Sequence, residues 1–318
     1  MRKKAGGDSN GVNKENLMKR DLLTLNDLSE KEINTILNRA AELKSGKDAS
    51  ACPLIGKSIG LFFEKASTRT RMSFQIGIYQ LGAQAIFINP SELQLGRGET
   101  IEDTAKVLSR YLHGIVIRAF SHKTIEKFAD NASIPVINAL TDLHHPCQTL
   151  ADLMTIKEKK GRLKGVHLAY IGDGNNVANS LTEAASLMGI DLVLACPKGY
   201  GPDESVYKAA LSGGARINIL SNPEEAVKDA DVLYTDVWVS MGEEKEAAKK
   251  KKAFNGYQVN KRLFMLAKPD AVVMHCLPAH RGEEITDEVI DSPRSVVFDQ
   301  AENRLHTQKA LLEMLISS

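Results

Sequence analysis

Short apolar runs alternate along this chain with longer stretches of helical period. That is the pattern of an α/β fold, in which parallel strands are buried on both faces by helices. The runs that read as strands are Ser58 to Phe63, Ala85 to Ile88, Gly114 to Ile117, Pro135 to Asn138, Val166 to Ile171, Leu192 to Ala195, Val232 to Thr235, Ala271 to Met274 and Val296 to Phe298. Two helices stand out. One runs from Pro146 to Lys160, with Pro at its first position, Leu150, Leu153, Met154 and Ile156 facing inward, and Gly161 after it. The other, Ala301 to Ile316, aligns Leu305, Leu312, Leu315 and Ile316 in one stripe and is expected to pack against a domain. The charged run Glu243 to Lys252 reads as a solvated helix face. No internal repeat is present, and no other segment is of low complexity. In parallel sheets, ligands bind outside the carboxyl ends of strands at a topological switch point, so the loops after these strands are where chemistry is sought.

Length divides the picture in two. The 318 residues exceed what one core usually organises and predict about two domains of roughly 150 residues each. The helix at 146–160 falls near the midpoint, and its basic exit, Lys159-Lys160-Gly161-Arg162, reads as a domain junction. The expected fold is therefore two doubly wound parallel-sheet domains joined by interdomain helices. With 43% apolar and 25% charged residues, the composition excludes a disordered or fibrous chain. A formal net charge of +1, with both signs interspersed, gives no field that would draw nucleic acid or an anionic membrane, so any anion site must be local. No apolar run approaches the ~20 residues of a membrane span and no secretory h-region opens the chain, which makes a cytoplasmic location the expectation. Met1 to Lys14 are polar and Gly-rich, and residues 1–16 read as a loose extension. Cys52, Cys147, Cys196 and Cys276 are scattered without a C-x-x-C pair, which predicts thiols in place of a zinc site or disulfide framework.

Six places could carry chemistry. After the first strand, Ser67-Thr68-Arg69-Thr70-Arg71 opens a helix. Amide N–H groups, hydroxyls and a guanidinium there suit a phosphate dianion, whereas arginines in a first turn oppose the helix dipole unless something anionic explains them. This loop itself contains no G-K-[ST], so it is not a Walker loop. Thr141-Asp142-Leu143-His144-His145-Pro146-Cys147-Gln148 joins a strand to the midpoint helix and offers an imidazole and a carboxamide to polarise and hold an amide-like group. Arg118, at a strand end, either snorkels or aims its charge at an oxyanion. Gly172-Asp173-Gly174-Asn175-Asn176 is only superficially a dinucleotide turn, since it lacks the third glycine and the following strand ends in Ala195-Cys196-Pro197 instead of a ribose-binding acid. Its asparagines suit an amino-acid ligand or a structural turn. Asp236, before Ser240-Met241-Gly242, can hold an ammonium group beside a mobile lid. Finally, His275-Cys276-Leu277-Pro278 pairs Cys with His, yet lacks a partner that would support thiol hydrolysis.

Taken together, the chain from Leu22 to Leu315 resembles the aspartate/ornithine carbamoyltransferase family, through the Ser67–Arg71, His145-Pro146-Cys147-Gln148 and His275–Pro278 motifs. Asp236 with Ser240-Met241-Gly242 and the cysteine motif is similar to the ornithine branch. The resemblance implies that 17–150 is a carbamoyl phosphate-binding domain onto which the helix at 301–318 packs back, and that 151–300 binds ornithine. It implies that Ser67, Thr68, Arg69 and Thr70 hold the phosphate, with Arg118, Arg304 and, from a neighbouring subunit, Gln94. Arg304 is expected early in the last helix, where only a ligand would explain a cation. His145 and Thr70 would polarise the carbamoyl oxygen, and Gln148 and the Leu277 carbonyl would hold the carbamoyl nitrogen. Asn176 would take the ornithine carboxylate, and Asp236 and Ser240 its α-ammonium, with Met241 alongside. Cys276 and Asp236 would help a neutral δ-amine form, because an alkyl amine titrates near ~10. Arg118, His145, Cys276 and Asp236 are thus the catalytic candidates. Arg97-Gly98-Glu99 departs from the lysine some relatives carry in the intersubunit loop. No metal or organic cofactor is expected, and the partners implied are carbamoyl phosphate, L-ornithine and further copies of the chain in a homotrimer or a multiple of it. The rivals are an NAD-dependent oxidoreductase on the Gly172 turn and a non-catalytic binding protein.

Overall fold

The computed structural model describes residues 19–46, 52–65, 67–89, 98–239 and 244–317. The expected extension at 1–16 and Gln94, Arg97, Ser240, Met241 and Gly242 lie outside these residues. In chain order the elements are α1 Glu30–Lys44, β1 Ser58–Phe63, α2 Thr68–Gln80, β2 Gln84–Ile88, α3 Ile101–Leu108, β3 Gly114–Arg118, α4 His122–Asn131, β4 Val136–Leu140 and α5 Pro146–Lys160. The second half continues with β5 His167–Ile171, α6 Asn176–Met188, β6 Asp191–Ala195, α7 Glu204–Ser212, β7 Ile217–Leu220, α8 Pro223–Ala226, β8 Val232–Thr235, α9 Ala247–Ala253, α10 Lys261–Phe264, β9 Val272–His275, α11 Asp287–Ile290 and α12 Val297–Ile316.

The strands form two parallel sheets, ordered β2-β1-β3-β4 and β7-β6-β5-β8-β9. Each order reverses once, between β1 and β3 in the first sheet and between β5 and β8 in the second. A crevice opens at such a reversal because the flanking crossovers go to opposite sides. Ser67–Thr70 at the start of α2 and Arg118 at the end of β3 lie at the first switch point, and Asn176 at the start of α6 and Asp236 just after β8 lie at the second.

Local sequence explains the ends of the elements. Ser29 and Glu32 close a capping box on α1, and Asn175 accepts from the N–H groups of Val177 and Ala178 at the start of α6. Gly161 and Gly189 end α5 and α6 in left-handed conformation, which costs glycine little. Helix α5 buries Leu150, Leu153, Met154 and Ile156, and one apolar core runs past it to both sheets, from Ile59 and Val116 to Tyr170 and Met274. Helix α12 packs on α1, α2 and α5.

Two sequence expectations are corrected. Val296 to Phe298 is the start of α12, not a strand; Ser295 makes only an isolated bridge to Val273, and Phe298 is exposed. An apolar triplet does not by itself distinguish a strand from a helix start. Arg304 consequently sits in the third turn of α12, beyond the reach of the dipole argument. A strand missing from the sequence reading, β7, lies at the edge of the second sheet with only Ile217 buried. No helix among the described residues is long and apolar enough to cross a membrane.

Candidate active site

A cleft of about 810 Å³ opens between the two sheets. Ser67, Thr68, Arg69, Thr70, Arg118, His145, Gln148, Asn176, Asp236, Cys276, Leu277 and Arg304 all line it, so every candidate within the described residues meets in one place.

Its first wall is built on the N-terminus of α2. Ser67 has extended backbone and caps the helix, its Oγ accepting from the Thr70 N–H at 3.4 Å. No acidic residue occupies this first turn. The two arginines there separate by role: Arg71 stacks on the Phe87 ring at 4.1 Å, while Arg69 faces the cleft. Arg118 follows a register shift between β3 and β4, a bulge that re-aims the strand end, and it is buried instead of snorkelling outward. Arg304 enters from α12 and donates from Nη2 to Thr70 Oγ1 at 2.8 Å. Burial, and then the charges of Arg304 and Arg69, lower Arg118 to about 10. Arg304 is lowered as well, chiefly by burial. Guanidiniums crowded at this density favour an anion between them.

At the junction with α5, His145 is the N-cap residue. Burial and the Arg304 and Arg118 charges hold its imidazole far below the usual histidine range, so the ring is neutral and carries one N–H. Gln148 is oriented by its neighbours: Nε2 donates to Asp152 Oδ1 at 2.9 Å, and Oε1 remains buried with no partner among the described residues. Asp152 also accepts from Gln300 and Tyr234, at 2.7 and 3.1 Å, and burial raises its carboxyl to about 7. Sequence reasoning missed this support, for which the one signal was an acid one helical turn after Gln148.

The opposite wall comes from the second sheet. Cys276 donates from Sγ to Asp236 Oδ1 at 2.9 Å, which also accepts from the Val237 N–H at 2.8 Å; Asp236 Oδ2 accepts from Asn175 Nδ2 at 2.8 Å. Burial first, and Asp236 next, push the Cys276 thiol well up, so it remains an S–H donor. Leu277, at φ 58°, is left-handed without being glycine, and its N–H donates to His275 Nδ1 at 2.9 Å. His275 Nε2 faces Glu284 Oε1 at 3.0 Å in full burial, so the two contacts assign its proton to Nε2. Asp236, His275 and Cys276 offer atoms within 4.8 Å of one another, but both His275 nitrogens are engaged, which makes the trio a poor metal cage. In the group of His280, Glu283 and Glu284, Glu284 Oε1 is likewise taken, by His275 and the His280 N–H.

Asn176 donates from Nδ2 to the Thr141 carbonyl at 2.5 Å. The α6 N-terminus is closed by the Asn175 side chain, and a Cβ on Gly174 would stand 2.1 Å from the Gly201 backbone carbon. A pyrophosphate has no approach there, which argues against the dinucleotide reading. The charged run at 243–252 is not wholly a solvated face: Lys250 is buried and donates to Asp173 Oδ2 at 2.6 Å on the cleft wall. Buried Phe254, four residues on at the C-cap of α9, was the available clue.

Comparison with known proteins agrees with this architecture. The carbamoyl-P binding domain of the aspartate/ornithine carbamoyltransferases matches residues 20–158, and their Asp/Orn binding domain matches residues 164–315. The ornithine carbamoyltransferase of Thermococcus kodakarensis is 55% identical over 306 residues, covering 93% of this chain and 96% of its own. That of Bacillus subtilis is 55% identical over 310 residues, 96% of each. Among solved structures, ornithine carbamoyltransferase from Pyrococcus furiosus has a TM-score of 0.90 at 54% identity, covering 94% of this chain and 98% of the other. The anabolic enzyme from Campylobacter jejuni has a TM-score of 0.89 at 41% identity, covering 93% and 98%. Matched in both halves and along nearly its whole length, this chain belongs to the aspartate/ornithine carbamoyltransferase family.

Proposed function

We propose that this carbamoyltransferase transfers the carbamoyl group of carbamoyl phosphate to the δ-amine of L-ornithine, giving L-citrulline and phosphate in the biosynthetic direction that leads to arginine. The observation that carries the proposal is the facing of two unlike walls across one cleft: an anion cradle of Ser67–Thr70, Arg118 and Arg304, and a polar acceptor wall of Asn176, Asp236 and Cys276. The phosphate sits on the α2 N-terminus and against Arg69, Arg118 and Arg304. Because Thr70 Oγ1 accepts from Arg304, its own O–H is available to the carbamoyl oxygen, which the neutral His145 N–H and Arg118 also approach. Gln148 Oε1 and the Leu277 carbonyl are acceptors for the carbamoyl NH₂.

Ornithine binds with its carboxylate toward Asn176 and its α-ammonium toward Asp236, and the family resemblance gives Ser240 and Met241 to the same ligand. Since Asn176 Nδ2 bonds to Thr141, its second N–H serves the carboxylate. The neutral δ-amine attacks the carbamoyl carbon, the tetrahedral oxyanion is held by Arg118, His145 and Thr70, and the C–O bond to phosphate breaks as the amine proton leaves toward the departing phosphate. The Cys276–Asp236 pair fixes the acceptor end. The assembly is a cytoplasmic homotrimer or a multiple of it, with Gln94 reaching a neighbour's phosphate site. Exposed Met72, Ile76 and Tyr79 on α2 and Phe87 on the edge strand β2 supply an apolar face for it.

The test is product formation from carbamoyl phosphate with L-ornithine, putrescine, N-acetylornithine and L-aspartate offered separately. Citrulline from ornithine alone is expected. Preference for another acceptor would overturn the roles of Asn176 and Asp236, and no turnover with any acceptor would overturn the activity.

A further inference from the structure

Helix α6 carries Asn176, Asn179, Ser180 and Glu183 at spacings of three, one and three residues, a single helical face. Asn179, Ser180 and Glu183 are buried where a packed helix is ordinarily apolar, and Val177, Leu181, Ala184 and Met188 serve the core elsewhere on the same helix. Buried polar groups are retained at a cost unless they are bonded. Here each one bonds to the other half of the molecule. Asn179 Nδ2 donates to the Leu143 carbonyl at 3.0 Å, and Ser180 Oγ accepts from the His145 N–H at 2.8 Å. Glu183 accepts from the Leu25 N–H and from Asn26 Nδ2, both at 3.0 Å, and stands 3.6 Å from His144 Nδ1. Burial raises Glu183 to about 8 and lowers His144 to about 4, so the two meet as a neutral acid and a neutral ring.

The His145 ring is not anchored through Nδ1. Its Nδ1 has no partner among the described residues, and it makes no side-chain capping bond to α5. The direction of the imidazole therefore depends on its backbone, held at φ −136° and ψ 62°, and that backbone is tied to Ser180. We infer that α6 is a strut that aligns His145, with Ser180 and Asn179 as positioning residues, so that the helix whose first turn carries the acceptor-side Asn176 also sets the donor-side imidazole. The inference rests on the reading of His145 as a donor to the carbamoyl oxygen.

Ser180→Ala tests it directly, since alanine is smaller and favours helix. In the full chain, kcat is expected to fall about 10- to 100-fold, because misplacement of a reacting group by about 1 Å costs on that order. The KM for carbamoyl phosphate and the calorimetric stoichiometry of inorganic phosphate per chain should stay within about twofold of the wild type. The His145 ring signal in ¹H–¹³C NMR should shift. Ser180→Thr, which restores the hydroxyl, should recover most of the loss, and Asn179→Ala should lower kcat in the same manner. Unchanged kcat in both Ser180→Ala and Asn179→Ala overturns the strut, as does a kcat loss matched by an equal loss of phosphate stoichiometry. His145→Gln separates the two layers of argument. If it turns over at the wild-type rate, the role of His145 fails and the strut with it; if it is inactive while Ser180→Ala and Asn179→Ala are both normal, only the strut fails.

Discussion

Arg304→Met separates binding from folding, because the guanidinium contributes to them with opposite signs. Methionine keeps the aliphatic reach and removes the charge. In the protein without substrate, the change loses the 2.8 Å bond to Thr70, worth on the order of 1 kcal/mol net. It also removes a buried cation that presses on Arg118, whose guanidinium is held down at about 10 by burial and by Arg304 and Arg69. The two contributions have opposite signs, so Tm should move by a few degrees at most, at roughly 2–4 °C per kcal/mol for a domain of this size. With a phosphate dianion in the cradle the signs no longer oppose. A charge-assisted hydrogen bond is lost, worth about 1.5–3 kcal/mol, which corresponds to a roughly 10- to 150-fold higher Kd. Titration calorimetry with carbamoyl phosphate, and with inorganic phosphate as a stable surrogate, reads the affinity, and scanning calorimetry reads Tm. A Kd within twofold of the wild type together with a Tm lower by more than about 10 °C would reverse the argument and make Arg304 a structural residue of α12.

Three further outcomes follow from the same geometry. Cys276→Ala removes the S–H donor to Asp236 and should lower kcat about 10- to 100-fold with little change in Tm; because burial keeps this thiol protonated, a thiol reagent at pH 8 should label exposed Cys52 well before Cys276, and rapid labelling of Cys276 would contradict its assignment as a donor. Asp152 has a carboxyl raised to about 7 by burial, against ~3.9 unfolded, so its folded form binds a proton more readily; stability is fully present below about pH 4 and is lost as pH rises through 7. The Tm of Asp152→Asn minus that of the wild type should therefore climb between pH 5 and 8 and level off above, and a flat difference would show that Asp152 is not raised. Lys250→Met removes the buried cation 2.6 Å from the Asp173 carboxylate, a charge-assisted bond worth about 1.5–3 kcal/mol by denaturant titration, whereas an effect under 1 kcal/mol would return Lys250 to the solvated face that its charged segment suggests.

Most of the site was legible because the topology of a parallel sheet constrains where a ligand can go. Ser67–Thr70, Arg118, Asn176, Asp236 and Cys276 each lie at or just after the end of an apolar run, and the structure puts those strand ends and the helix starts that follow them at the carboxyl edges of the two sheets. Pairing was not legible in the same way. Arg304 reaches Thr70 across 234 residues, Lys250 reaches Asp173 across 77 and Cys276 reaches Asp236 across 40, and nothing local marks such partners. The failures of local reading are equally physical. Strand β7 is a short edge strand with one buried residue, so its apolar signal is weak, and Val296 to Phe298 reads as a strand because three apolar residues cannot reveal their period. Where α6 breaks the apolar pattern, the departure is itself informative. Asn179, Ser180 and Glu183 occupy core positions that a stable helix would fill with leucine or alanine, and each makes a hydrogen bond to the opposing half of the molecule. A helix selected for packing alone would not carry them, so the polar face of α6 marks the interface that must hold its register while the cleft does chemistry.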